Sequence, residues 1–517
     1  MMRKRFWLVF SLVFTWKIAL YIFTAQPVPA NDSFFYDGAV IHHLLHGGYY
    51  NPCIALAFPI SGAEIFSAYP PGYQLPLLLW MSVFGTSALS AMALQLTFFG
   101  LYLVALLLIL RRLQIPPWCV NVAGVFLLSL SFHDRPDGCA HVLGMFAVYC
   151  CIRSRKIFGG TGATGLWTWL MLLLIVLAIC TSLQIGTTYF GLIFIATLAA
   201  SYFGKEPVPL ISLALMVVIP VMLVLLVKAA LPQAWAGFME NVHQTPFIIG
   251  FHKPRFGEVA KILRSVPGLL LVAALLVMSW FKQHYDFESD TGRREEIILL
   301  AALLPALGIV VASVSVISPN TVGIPNYLQP LIVACYLALT VSLRVSETWR
   351  RWQVILLIPA MLLVSARSFG MTTWGVVCAR DFGYRDSLRR VETELAGQPH
   401  GAKVVMSAAF LYGAAAHDDV QFIHSDWMAR ADGDSLYSDT AALVALKPKK
   451  IILTQYDYFR RYQEVLKKAK MDPSLKNIEI ENAARVRSPD SYEALQKVVQ
   501  HISWAPVIVT LTWQDVK

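Results

Sequence analysis

Three polar clusters interrupt an otherwise apolar sequence, and each holds residue types that handle protons or phosphate. The first, Asn31-Asp32-Ser33-Phe34-Phe35-Tyr36-Asp37-Gly38, puts two carboxylates close behind the first apolar block. A carboxylate within reach of an acceptor hydroxyl can serve as general base. Asp32 and Asp37 are five apart, so they need not share a helix face; the plain alternative is a pair of ordinary acids on a solvated helix. The second cluster is His133-Asp134-Arg135-Pro136-Asp137-Gly138. A tight turn calls for Pro and Gly, but not for two Asp, an Arg and a His. Arg135 there is either one half of a structural ion pair or a cation presented to a ligand. The third runs from Glu240 and His243 to His252-Lys253-Pro254-Arg255-Phe256. Lys and Arg bind phosphate through charge-assisted hydrogen bonds, or else snorkel to lipid headgroups. Lys17, inside the first apolar block, is an ionisable group of the kind that flags function in a membrane; the sequence assigns it no role.

These clusters must be positioned by membrane helices. The chain has 517 residues, 57% hydrophobic and 14% charged, against about 25% charged in an ordinary soluble domain. The apolar residues come in blocks of roughly 17 to 23, long enough to span about 30 Å of hydrocarbon as helices. They lack the alternation of a barrel strand. Spans are expected at about 7–25, 88–110, 116–132, 138–152, 165–182, 185–203, 208–230, 263–281, 297–318, 326–344 and 353–371, eleven in all. The net charge of +10 does not indicate nucleic acid. The Lys and Arg residues gather at block ends, as the positive-inside rule requires, with no basic stripe interleaved with aromatics. Eight cysteines without a CxxC pair indicate neither a zinc ribbon nor a disulfide framework.

Charge also sets the topology. Arg3, Lys4 and Arg5 place the N-terminus in the cytoplasm, and the loop 26–86, which contains no Lys or Arg, outside. The apolar piece 73–84, between Pro70-Pro71-Gly72 and Gly85, is short for a span and is expected to lie in the interface or to re-enter. If it crossed, Arg111-Arg112 and every later basic loop would invert. Within the first loop the stretch 36–45 reads as amphipathic, with Ile41, Leu44 and Leu45 toward lipid or core. The outer loop 231–262 breaks the charge rule with Lys253, Arg255 and Lys261. Residues 372–517 are charged, with short apolar runs at 403–406, 451–454 and 506–511 and an amphipathic stretch at 458–470. The expected fold is therefore mainly α. A polytopic membrane helix bundle of about 11 spans (1–371) carries a small extracytoplasmic α/β C-terminal domain (372–517).

At these clusters the sequence resembles the GT-C superfamily of membrane glycosyltransferases, nearest to protein O-mannosyltransferases and lipid A aminoarabinose transferases. Four ordered features carry the resemblance. Asp32 and Tyr36 give the Asp-x-x-x-Tyr start of the first outer loop, ahead of Gly47-Gly48-Tyr49-Tyr50-Asn51-Pro52. Tyr69-Pro70-Pro71-Gly72 gives the Pro-Pro segment. Arg135-Pro136-Asp137 gives the Arg-x-Asp turn. The loop 240–256 and Asn326-Tyr327-Leu328-Gln329-Pro330 complete the set. The sequence departs from some members in having Ser33 in place of a second acid, and Ala68-Tyr69 where a Glu-Lys pair would supply a phosphate-binding Lys. The Trp-Trp-Asp-Tyr-Gly signature of oligosaccharyltransferases is absent.

The resemblance implies an inverting transfer from a polyprenyl-phosphate-linked sugar to an acceptor hydroxyl on a glycan, lipid or protein. Asp32 is the implied base and Asp37 its rival. Arg135, Lys253 and Arg255 are the implied phosphate contacts. Asp137 would orient Arg135 or bind sugar hydroxyls, and Tyr36, Tyr69 and His243 would contact substrate. No cofactor is implied. A divalent metal is left open by the carboxylates Glu64 and Asp134. The expected setting is a bacterial inner membrane, with the C-terminal domain periplasmic or extracellular; the alternative is an endoplasmic reticulum. A transporter or flippase of a lipid-linked sugar is the competing class. It would be expected to show internal repeats, and none is seen.

Overall fold

The computed structural model describes residues 2–24, 33–48, 71–115, 136–155, 165–203, 210–230, 232, 384–410, 416–417, 420–425, 440–481 and 505–514. The expected spans at 116–132, 263–281, 297–318, 326–344 and 353–371 lie outside these residues. The described chain is mainly helical with one small sheet.

The N-terminal part contains α1 (Met2–Thr24), α2 (Ser33–His46), α3 (Gln74–Phe84), α4 (Ala88–Arg112), α5 (Pro136–Ser154), α6 (Leu166–Thr181), α7 (Leu183–Phe203) and α8 (Leu210–Ala230). Side-chain pairings fix their directions. Phe14 packs on Gly100, Lys17 lies over Phe99, and Tyr21 Oη donates to Leu89 O at 2.9 Å, so α1 and α4 are antiparallel. Cys139 bonds Thr181, while Tyr149 meets Trp167 edge-on and Arg153 lies over the same ring, so α5 and α6 are antiparallel. His141 meets Tyr189 and Cys151 meets Thr197, so α5 and α7 run parallel. The 3-10 turn Pro71–Tyr73 sits on the C-terminal end of α6, since a Cβ on Gly72 would stand 2.5 Å from Cys180 O. One end of the bundle, here the upper end, thus gathers the ends of α1 and α6 and the starts of α4, α5 and α7. The lower end carries Arg111, Arg112, Arg153 and Arg155.

Among the described residues, Ala88–Arg112 and Ile185–Tyr202 are each long and apolar enough to cross a bilayer, and α1, α3, α6 and α8 contain shorter apolar stretches. Many large apolar side chains face outward, including Leu12, Leu79, Val83, Leu173, Val221 and Leu226. An apolar outer surface on this scale is a mark of lipid or partner contact. The 11-residue α3 does not run the height of the bundle. It folds back onto α4 at the upper end through Gly85 (φ +88°), and Trp80 Nε1 donates to Ser90 O at 2.9 Å.

In α2 the expected amphipathic pattern is only partly seen. Residues 36–41 are buried all round, Ile41 in the core as expected, whereas Leu45 is exposed, a position open to lipid but not in the core. Packing on several sides hides the first half of α2, and its C-terminal turn stands clear. Gly47 and Gly48 (φ +78° and +75°) then end the helix in the left-handed region that glycine alone adopts freely.

The C-terminal part contains α9 (Tyr384–Ala396), β1 (Lys403–Met406), β2 (Gln421–His424), α10 (Thr440–Leu446), β3 (Lys450–Leu453), α11 (Gln463–Ala469), β4 (Leu475–Glu481) and β5 (Val507–Trp513). The sheet order is β2-β1-β3-β5-β4. Strand β1 is parallel to β2 and β3, and β5 is antiparallel to β3 and β4. Alternation gives the sheet two apolar faces. Val404, Met406, Phe422 and Ile452 join Val391 and Leu395 of α9 in a core continuous with the helical bundle. Val405, Ile423, Ile451, Leu453 and Val509 pack with Leu443, Tyr462 and Leu466 on the other side. The apolar runs at 403–406, 451–454 and 506–511 correspond to β1, β3 and β5, each within a residue or two. The stretch 458–470 begins as a π-helical segment, Tyr458–Tyr462, and becomes regular only at Gln463.

Candidate active site

At the upper end, buried polar side chains from five elements form two connected layers. Tyr36 and Asp37 of α2 are buried, Asp37 completely. The Tyr36 ring meets Tyr73 edge-on at 5.9 Å. Tyr73 Oη accepts from Gln95 Nε2 of α4 at 2.8 Å, with both residues fully buried. The chain of contact therefore runs from the first loop through the Pro-Pro segment into α4.

The second layer lies one to two turns lower. Gln95, Phe99 and Tyr102 are spaced i, i+4, i+7, which is one stripe of α4. The Tyr102 ring stands 6.4 Å from His141, and His141 6.0 Å from Tyr189, both edge-on. His141 Nδ1 and Tyr189 Oη are 3.4 Å apart. Tyr189 reaches this position because residue 144 is glycine: a Cβ there would stand 2.1 Å from the ring. Asp137, one turn above His141 on the same face of α5, is 3% exposed and sits in the helix's first turn. There the helix dipole favours a carboxylate. Both buried carboxylates are engaged by the surrounding fold, as burial of charge demands.

The pairings also set relative heights. Tyr73 is level with Gln95, its neighbour Gly72 touches Cys180, and Thr181 bonds Cys139. The tops of α5 and α6 therefore stand level with Gln95, seven residues or about 10 Å below the start of α4. The upper parts of α1 and α4 rise above that floor as a wall. The C-terminal domain docks on this wall. Arg385 of α9 donates to Tyr21 O at 3.3 Å with its guanidinium 5.9 Å from the Tyr21 ring centroid, and the 3-10 turn Ala408–Phe410 after β1 contacts α2.

Of the residues that the sequence singled out, the structure gathers Tyr36, Asp37 and Asp137 at one end of the bundle. Asp32, Tyr69, Arg135, His243, Lys253 and Arg255 lie outside the described residues, as do Glu64 and Asp134. Among the described residues no group of three or more His, Cys, Asp or Glu could hold a metal ion. Sequence reading missed Tyr73, Gln95, Tyr102, His141 and Tyr189. The available signal was polar residues at helical spacing inside apolar spans, Gln95 with Tyr102 and Asp137 with His141.

No protein-family model matches the chain, and no curated protein sequence matches it. Among solved structures, it is similar to an oligosaccharyltransferase of Archaeoglobus fulgidus in complex with zinc and sulfate. The identity is 11% and the TM-score 0.46, over 86% of this chain and 68% of that one. It is also similar to the archaeal oligosaccharyltransferase AglB from Archaeoglobus fulgidus in complex with an inhibitory peptide and a dolichol-phosphate. There the identity is 10% and the TM-score 0.45, over 92% and 73% of the two chains.

Proposed function

We propose that the chain is an integral membrane glycosyltransferase that moves a monosaccharide, with inversion, from a polyprenyl-phosphate carrier to an acceptor hydroxyl. The upper end of the bundle is the extracytoplasmic side in this reading, and the basic lower end faces the cytoplasm. The observation that carries it is the burial of Asp37 and Asp137, from segments a hundred residues apart, at the one end of an apolar bundle on which a soluble domain docks. Ionisable groups are costly in such a place and mark substrate chemistry.

A carboxylate of the first loop, Asp32 or Asp37, takes the proton of the acceptor hydroxyl as its oxygen bonds to the anomeric carbon. The bond from that carbon to the phosphate oxygen breaks on the opposite face, and polyprenyl phosphate leaves with its electron pair. Arg135, Lys253 and Arg255 stabilise the charge that grows on the leaving phosphate. Asp137 orients Arg135 or binds sugar hydroxyls. Tyr36, Tyr69 and His243 line the sugar and acceptor. The prenyl chain stays in lipid throughout. These steps call for no cofactor, and turnover in the presence of a chelator tests whether the divalent metal left open by Glu64 and Asp134 takes part.

The test is purified wild type beside Asp32→Asn and Asp37→Asn, each offered a panel of labelled polyprenyl-phosphate sugars and acceptor extracts. Sugar transfer by wild type, lost in one of the two variants, supports the reading and names the base. Equal turnover in all three removes both carboxylates from that role. Donor carried intact across a liposome membrane, with no bond broken, replaces the enzyme with a transporter.

A further inference from the structure

Among the described residues, Lys17 is the one buried cation of this region for which neither the sequence nor the proposed mechanism has a use. It lies within α1, 7% exposed, and its Nζ has no hydrogen-bond partner among the described residues. The contact it makes is with an aromatic face: Nζ stands 5.5 Å from the centroid of Phe99. Phe99 shares the α4 stripe with Gln95 above and Tyr102 below. Gln95 holds Tyr73 at the floor of the candidate site, and Phe99 is four residues deeper, about 6 Å. One turn above Lys17 on the same face of α1, Tyr21 bonds Leu89 O, and Arg385 of the C-terminal domain covers that tyrosine. Two cations thus follow one seam between α1 and α4, Arg385 at the rim and Lys17 just beneath the floor.

A cation–π contact offsets only part of the cost of an ammonium removed from water. The fold therefore holds a positive charge that an anion of suitable reach would compensate. We infer that Lys17 binds the phosphate of the polyprenyl-phosphate donor, supplying from helix α1 the lysine missing ahead of the Pro-Pro segment. This inference rests on the proposed function. It gives the leaving phosphate a contact on the lipid side of the sugar, at the depth from which a prenyl chain passes into the bilayer.

The experiment compares wild type with Lys17→Met and Lys17→Gln, full-length and in detergent, by thermal unfolding. Each is titrated with polyprenyl monophosphate, with phosphatidylglycerol and with inorganic phosphate. The expected result has three parts. Polyprenyl monophosphate raises the wild-type melting temperature, and both variants bind it at least about tenfold more weakly. Without ligand both variants melt at the wild-type temperature or above it, because an uncompensated buried charge has been removed. Variants that melt well below wild type without ligand make Lys17 a structural partner and overturn the inference. Wild type and variants stabilised equally by polyprenyl monophosphate overturn Lys17 alone and leave the glycosyltransferase reading standing. Wild type unaffected by polyprenyl monophosphate overturns both. An equal Lys17-dependent shift with phosphatidylglycerol or inorganic phosphate assigns the site to a membrane lipid or to a free anion, and overturns the donor assignment.

Discussion

The helical bundle and the C-terminal domain treat their polar side chains in opposite ways. In the domain, polar groups close short circuits at the edges of the sheet. Ser407, at the end of β1, donates to Asp457 and accepts from Thr454 N, and Thr454 Oγ1 caps the next helical turn by accepting from Asp457 N at 3.1 Å. The ion pair Lys450–Glu394 ties β3 to α9 at the half-buried margin. Each has an evident structural task. In the bundle, Asp37, Gln95, Asp137, His141 and Lys17 come from four helices, Asp137 and His141 sharing α5, and all are buried in an apolar body. Backbone satisfaction there needs no side chain, because each helix bonds itself. Polar side chains that backbone bonding does not require, placed where burial costs most, are what the proposed function has to account for.

The largest effect that would test this contrast is on Asp37. Asp37→Asn keeps the volume and much of the hydrogen bonding of a fully buried side chain but removes its basicity. If Asp37 is the base, transfer falls by about 10²- to 10⁴-fold while the melting temperature changes little, read by labelled-sugar transfer and thermal unfolding of the same preparation. Wild-type turnover in a folded variant would leave Asp37 a structural residue like those of the domain and shift the base to Asp32.

Two glycines sharpen the comparison in stability. At Gly72 a methyl group would strike the backbone at Cys180 O, 2.5 Å away. Backbone does not yield as a side chain does, so Gly72→Ala is expected to cost about 1 to 3 kcal/mol, occasionally more. It would also displace Tyr73 from Gln95, lowering both the melting temperature and activity. At Gly401, after α9, nothing lies within 4 Å, and only the left-handed backbone (φ +75°) resists a side chain. Gly401→Ala is expected to cost about 1 kcal/mol with transfer per folded molecule unchanged. Equal loss of transfer in both would show that the domain's own fold, and not only its docking, controls the site.

How much of this was legible in the sequence follows the same division. The observed helices Ala88–Arg112, Pro136–Ser154, Leu166–Thr181, Leu183–Phe203 and Leu210–Ala230 lie within about two residues of the expected spans, because the apolar runs end at charge or at Gly, Pro, Ser and Thr. In the domain, β4 gave no signal. It is an edge strand with only Leu475 buried, so composition could not tell it from a polar loop. Four-residue β2 was too short to show a period. At the site, Asp37 and Asp137 stood out because they flank spans. Gln95, His141 and Tyr189 did not, because one polar residue in an apolar run does not reveal which neighbour it will face. That depends on pairings such as Gly144 with Tyr189, which only the assembled bundle defines.

Within the domain, Ser407→Ala leaves Thr454 N without its acceptor and Asp457 without one donor. The expected loss is about 1 to 2 kcal/mol, seen as a lower denaturation midpoint with transfer per folded molecule retained. A large loss of transfer at full stability would instead place this junction of β1 and β3 within the working part of the molecule, erasing the distinction drawn between the two regions.

The smallest expected effect lies at Asp472, in the turn before β4. Its carboxylate accepts from Ser474 Oγ at 2.5 Å and from Ser474 N at 2.9 Å. Those bonds, with a lesser contribution from the Lys447 charge, hold it below the usual carboxylate range. A carboxyl whose folded value is depressed adds stability above its unfolded value, and that contribution fades as pH falls through the folded one. Asp472→Ala should therefore lower the melting temperature slightly near neutral pH. The difference from wild type should shrink progressively once the pH drops below the ordinary carboxylate value of 3.8. A difference that stays constant into acid would mean that the turn is held by backbone geometry and not by the ionised side chain. If Asp37 is the base, the contrast with it would then be stronger still, since the surface carboxylate would contribute nothing through its charge.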